Sequence, residues 1–141
     1  MLESYFNQVN IWAVLVSAAA YFAIGSVWFS GLFGTTWSNE LEKHGVKIQM
    51  PTKGQIAAMM IATFVFNLIT AAGVSLLVYI IGTSTVLAGI KLGLFVGLCF
   101  TVTSMFTAYN WESRSTKLSL IDVGYPLVGI VACAIILSVW K

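Results

Sequence analysis

Stretches without charge are the dominant pattern in this chain. No Asp, Glu, Lys or Arg occurs between Glu3 and Glu40, between Lys53 and Lys91, between Lys91 and Glu112, or between Asp122 and Lys141. Roughly 20 apolar residues, rising about 1.5 Å each, cross a hydrocarbon layer of about 30 Å, and each gap is long enough to hold such a span. The pattern predicts an all-α integral membrane four-helix bundle with short loops, in one transmembrane domain over residues 1–141. The spans fall at about 11–33, 53–82, 85–109 and 118–140. Asn10 is placed to cap the first span through its side-chain oxygen. Thr52-Lys53-Gly54-Gln55 has the reciprocal capping pattern that opens a helix, and Gly82 closes the second span.

The connection TTWSNELEKHGVKIQMPTKG is the longest polar segment. Within it Trp37 and Leu41 are spaced i, i+4, while Glu40, Lys43 and His44 are expected to point elsewhere. That spacing suits a short helix over 37–44 lying in the membrane interface and stopped at Gly45. Short connections make sequential spans antiparallel, so both termini share one side. The first and third connections hold Lys43, Lys47, Lys53, Arg114 and Lys117, against Lys91 and Lys141 opposite. By the Lys/Arg rule the two basic connections are cytoplasmic and both termini lie outside. Trp12 and Trp140 fall at one expected surface and Trp37 and Trp111 at the other, whereas Trp28 lies a turn inside, at a helix contact.

Composition agrees: 59% of the residues are apolar and 9% charged, far from the balance of a soluble domain. Glu3 ahead of a full-length apolar stretch is unlike a cleaved signal peptide, so the first span is expected to remain. A net charge of +2, scattered along the chain, gives no footprint for nucleic acid. Cys99 and Cys133 sit mid-span without CxxC spacing and are read as small apolar residues.

Gly89, Gly93 and Gly97 repeat at four-residue spacing in the third span, a groove that lets another helix approach closely. The groove fits a helix of the same chain or a subunit interface. Lys91, between two of these glycines, is near enough to the helix start for its stem to carry the ammonium to the surface. Asn67 lies near the centre of the second span, where an unpartnered amide is costly, so it must bond another helix or contact a solute or ion.

Asp122 has two readings. In one, Ser119-Leu120-Ile121-Asp122 is a capping box that starts the last span at Leu120 and holds the carboxylate at interfacial depth within reach of Lys117. In the other, the helix starts near Ser115 and Asp122 lies about two turns inside, near Ser26, Ser30, Ser104 and Thr107, as a proton or cation site. Pro126 removes the amide that would bond the Asp122 carbonyl, so it bends the helix there.

Two segments, VNIWAVLVSAAAYFAIGSVWFSGLFGTTW and TAYNWESRSTKLSLIDVGYPLVG, together resemble the small integral membrane proteins catalogued as domain of unknown function 1761. The characteristic part is Trp28, Ser30, Phe33, Gly34 and Trp37 combined with Asn110, Glu112, Arg114, Ser115, Gly124 and Tyr125. The resemblance implies a multi-span membrane protein without an assigned activity. It also implies an amide where this chain has Asp122 and a His where it has Pro126, which favours a polar capping role over proton exchange. These residues gather at the cytoplasmic side and outline a candidate polar cluster of Trp28, Ser30, Glu112, Arg114, Asp122 and Tyr125, able to fix the bundle and to contact a partner or lipid head group.

The single histidine, His44, lies in a loop, no carboxylate pair is arranged for acid and base work, and no ligand set for haem, zinc or an iron-sulfur cluster stands out. The expectation is a non-enzyme without cofactor or metal, a structural or interaction subunit that assembles with itself, with membrane lipids or in a larger complex. The alternative is an oligomeric solute or ion path lined by Asn67, Ser104 and Asp122.

Overall fold

The computed structural model describes residues 1–140, so Lys141, counted above among the charges, lies outside them. The described chain is all-α: α1 (Leu2–Gln8), α2 (Ile11–Leu32), α3 (Gly34–Lys43), α4 (Lys53–Ile81), α5 (Val86–Trp111) and α6 (Thr116–Val139). Of these, α2, α4, α5 and α6 are long and apolar enough to cross a membrane, as the charge-free stretches predict.

Local chemistry sets the ends. Asn10 Oδ1 accepts from the Ala13 amide at 3.1 Å. Thr52 and Gln55 bond reciprocally, with Gln55 Oε1 accepting from the Thr52 amide at 2.8 Å and Thr52 Oγ1 from the Gln55 amide at 3.3 Å. Gly82, at φ +74°, takes the left-handed conformation that ends α4. The expected capping box at Ser119 does not form. Ser115 Oγ instead accepts from the Leu118 amide at 3.1 Å, and the Ser119 hydroxyl donates to the Ser115 carbonyl within an established helix. The last span therefore starts at Thr116, earlier than expected, and Asp122 lies nearly two turns inside it.

The architecture centres on α6, which packs against α2, α4 and α5, while α2 and α4 also pack on each other. Small residues make the approaches close. Gly89, Gly93 and Gly97 lie along the α6 backbone, running from Ala134 and Ile135 through Val131 to Leu127. The descending numbers on α6 are the signature of an antiparallel pair. The glycine groove thus receives a helix of the same chain. On the other side of α6, Gly124 lies beneath the Trp28 ring and Gly129 beneath the Tyr21 ring. Ala18, Ala71, Cys133 and Ala134 are wholly buried where α2, α4 and α6 converge. Lys91 is exposed on α5, away from that packing.

Two wider turns interrupt the long helices, Trp28–Leu32 in α2 and Gly97–Val102 in α5. Such turns shift the register of the side chains that follow. The turn in α2 begins at Trp28, whose ring packs on Gly124 of α6, and Gly34 opens α3 directly after it.

Candidate functional site

The short helix α3 folds back over the basic end of α6, which local pattern does not disclose. Glu40, expected to point away, is buried beside Leu41 on the face that meets α6. Its burial is compensated by charge: Lys43 Nζ lies 3.1 Å and Lys117 Nζ 3.7 Å from Oε1, and Ser115 Oγ donates to Oε2 at 3.4 Å. The Lys43 hydrogen bond, foremost, holds the Glu40 carboxyl below its ordinary range, with the positive charges of Lys43 and Lys117 and the Ser115 hydroxyl acting in the same direction. Lys117 is therefore a partner of Glu40, not of Asp122, since five helical positions turn the two side chains to different faces.

Asp122 finds its partners from two other elements. The Trp37 indole of α3 donates to Oδ1 at 2.8 Å, and Arg114 Nη1 donates to Oδ2 at 2.8 Å. Only 11% of the Asp122 side chain and 26% of Arg114 remain exposed, so the pair is largely withdrawn from solvent. Arg114 also lies 3.8 Å from Glu112 through Nε and stacks over the Tyr109 ring, with its central carbon 4.5 Å from the centroid. Asp122 is not the cap of the first reading: the helix starts near Ser115 with the carboxylate nearly two turns inside, as in the second, and its hydrogen-bond partners are Trp37 and Arg114 rather than Ser26, Ser30, Ser104 or Thr107. Ser26, Ser30 and Thr107 donate to carbonyls of their own helices, and Ser104 is exposed.

Trp28 and Tyr125 adjoin this cluster without bonding the carboxylate. The Trp28 indole donates to the Ile121 carbonyl at 2.9 Å, one residue from Asp122, while its ring lies across Gly124. Tyr125 points one turn deeper, where its hydroxyl and Asn67 exchange hydrogen bonds of 3.2 and 3.4 Å. Asn67 is buried, and its partner is thus another helix of the same chain. An aromatic chain links the two levels: Trp37 meets Phe29 at 5.8 Å between centroids, Phe29 meets Tyr125 at 5.6 Å, and Tyr125 meets Tyr21 at 5.2 Å.

Of the six residues proposed from sequence, Glu112, Arg114 and Asp122 form one connected group, Trp28 and Tyr125 border it, and Ser30 takes no part. Trp37, Glu40, Tyr109, Ser115 and Lys117 complete the assembly. Its charges balance, with Glu40, Glu112 and Asp122 against Lys43, Arg114 and Lys117. The geometry is that of a clasp joining α3, α6 and the end of α5.

Residues 12–138 match the family model described as "Protein of unknown function (DUF1761)", and the chain belongs to that family. No curated protein and no solved structure matches the chain.

Proposed function

We propose that this membrane protein is a non-enzymatic structural or interaction subunit that assembles with copies of itself or within a larger membrane complex, with lipid as its immediate surroundings. The observation that carries the reading is the closure of the polar groups upon one another. Asp122 is taken up by Trp37 and Arg114, Glu40 by Lys43, Lys117 and Ser115, and Asn67 by Tyr125. Groups engaged in this way hold a shape, and they leave the protein's outer apolar faces as the surfaces it offers. Those faces are extensive on α4 and α5, where Met59, Phe66, Ile69, Leu87, Phe95 and Phe100 are exposed. The clasp end, richer in Lys and Arg, faces the cytoplasm in this reading, and the termini lie outside.

The same closure weighs against a solute or ion path near Asn67 and Asp122, because Trp37 and Arg114 occupy the carboxylate and Tyr125 the amide. Native mass spectrometry from a mild detergent tests the proposal. Defined oligomers, or copies carrying retained lipid, are expected, and a lipid-free monomer under all detergent conditions would overturn it. Solute flux into liposomes containing the protein, absent from empty ones, would establish the path instead.

A further inference from the structure

At the end of the bundle opposite the clasp, residues of α1, α2, α4 and α6 line a half-open cavity of about 270 Å³. Tyr5 ties α1 to α4 beside it. Tyr5 is the one buried residue of α1, its hydroxyl donates to the Ala72 carbonyl of α4 at 3.4 Å, and its ring meets Tyr79 edge-on at 5.6 Å between centroids. A cavity of about 150 Å³ accommodates benzene, so this one has space for roughly eleven non-hydrogen atoms by simple scaling.

The lining defines what can enter. Ala13, Val78 and Leu137 supply an apolar floor, and Tyr5, Tyr79 and Trp140 supply aromatic walls. Gln8, Asn10 and Ser75 add neutral polar groups. The Asn10 oxygen is committed to capping α2, which leaves its amino group as a donor toward the cavity, and Ser75 is buried on the α4 side. No Asp, Glu, Lys or Arg lines the cavity among the described residues. A charged guest would give up part of its hydration here and meet no counter-charge among the described lining residues, and a plain hydrocarbon would make no use of the amides and hydroxyls. We infer that this cavity is a binding site for a small uncharged amphiphile, a single ring or short alkyl body bearing one or two hydroxyl or carbonyl groups.

The guest's hydroxyls can come from a free solute or from the uncharged head of a glyceride, and the test separates these. Three isosteric probes, 4-fluorobenzyl alcohol, 4-fluorobenzylammonium and 4-fluorobenzoate, are titrated against the detergent-solubilised protein and followed by fluorine NMR. Saturable binding is expected for the alcohol alone. The cavity-filling substitution Ser75→Leu should abolish the saturable component while helix content and thermal unfolding stay as in the wild type. Gln8→Leu, at the exposed end of α1 where it lines the cavity mouth, should weaken binding severalfold and serves if Ser75→Leu does not fold. Displacement of the alcohol by 1-monodecanoylglycerol assigns the guest to the membrane, and failure of displacement assigns it to the water side. A purely linear partition of the alcohol, unchanged in both variants, or equal binding of either charged probe, would overturn the inference.

Discussion

Adding one methyl group to chosen glycines tests the packing that holds α5 to the bundle. A Cβ built on Gly93 would stand 2.5 Å from the Val131 Cα, and one on Gly89 would stand 2.8 Å from the Ile135 Cα. Both obstacles are backbone, which cannot rotate aside. Ordinary carbon contacts begin near 3.5 Å, so Gly93→Ala forces α5 and α6 apart by about 1 Å along their whole seam. Overpacking of this kind costs about 1–3 kcal/mol. Opposing it is the preference of a helix interior for Ala over Gly, about 0.5–1 kcal/mol. Gly73 on α4 supplies the reference, because a Cβ there meets nothing within 4 Å. Gly73→Ala gains the preference without the clash. At Gly97 the obstacle is the Leu127 Cδ1 at 2.5 Å, the tip of a side chain that can turn away. Equilibrium unfolding in mixed micelles should therefore rank the variants Gly73→Ala, Gly97→Ala, Gly93→Ala from most to least stable, with the first and last separated by about 1–3 kcal/mol. Gly93→Leu should fall below all three. Equal stability of Gly73→Ala and Gly93→Ala, or a Gly93→Leu protein as stable as the wild type, would refute the α5–α6 seam.

Other perturbations address the clasp and the buried amide. Trp37→Phe keeps the ring against Phe29 and removes the indole donor to Asp122; it should cost about 1.5–3 kcal/mol in the same unfolding measurement. Arg114→Gln strands the Asp122 carboxylate, and adding Asp122→Asn should recover part of the loss, giving a double-mutant coupling of about 1–3 kcal/mol; strict additivity would show that the two do not interact. Tyr125→Phe deprives Asn67 of its partner and should cost about 1 kcal/mol, the usual scale of one hydrogen bond between membrane helices. Glu40, held below its ordinary range when folded, contributes stability that is present above its unfolded range and is lost as pH falls through the folded value. Glu40→Gln should thus be less stable than the wild type near neutrality, and the two unfolding curves should converge in acid.

The long helices were legible because a charge in hydrocarbon is costly, so charge-free length marks a span with little help from context. Caps built from neighbouring residues, at Asn10 and at Thr52 with Gln55, were legible because each partner lies within three positions. The repeat that misled was also local. Ser119 and Asp122 have capping-box spacing, yet Ser115, a plain N-cap with Leu118 three residues on, caps four residues earlier. Depth for Asp122 was decided by Trp37, which lies 85 positions away in sequence, and by the fold-back of α3 that brings it there. Glu40 was misplaced on similar grounds, because its face is chosen by Lys117 and Ser115 rather than by its own helix. Trp37 was visible in the resembling segment, where a Trp indole donating to Asp122 was expected, though spacing alone did not say which Trp it would be.

The central position of α6 bears on the order of events during synthesis. It is made after α2, α4 and α5, yet each of them rests on it. While the ribosome is still adding Thr116 to Val139, the first two spans can already associate, whereas the third has its notched side turned to lipid with no mate. Insertion of the final span would then complete both halves of the assembly in one step. A chain released before that point would be recognisable to quality-control proteases by its loosely held third span.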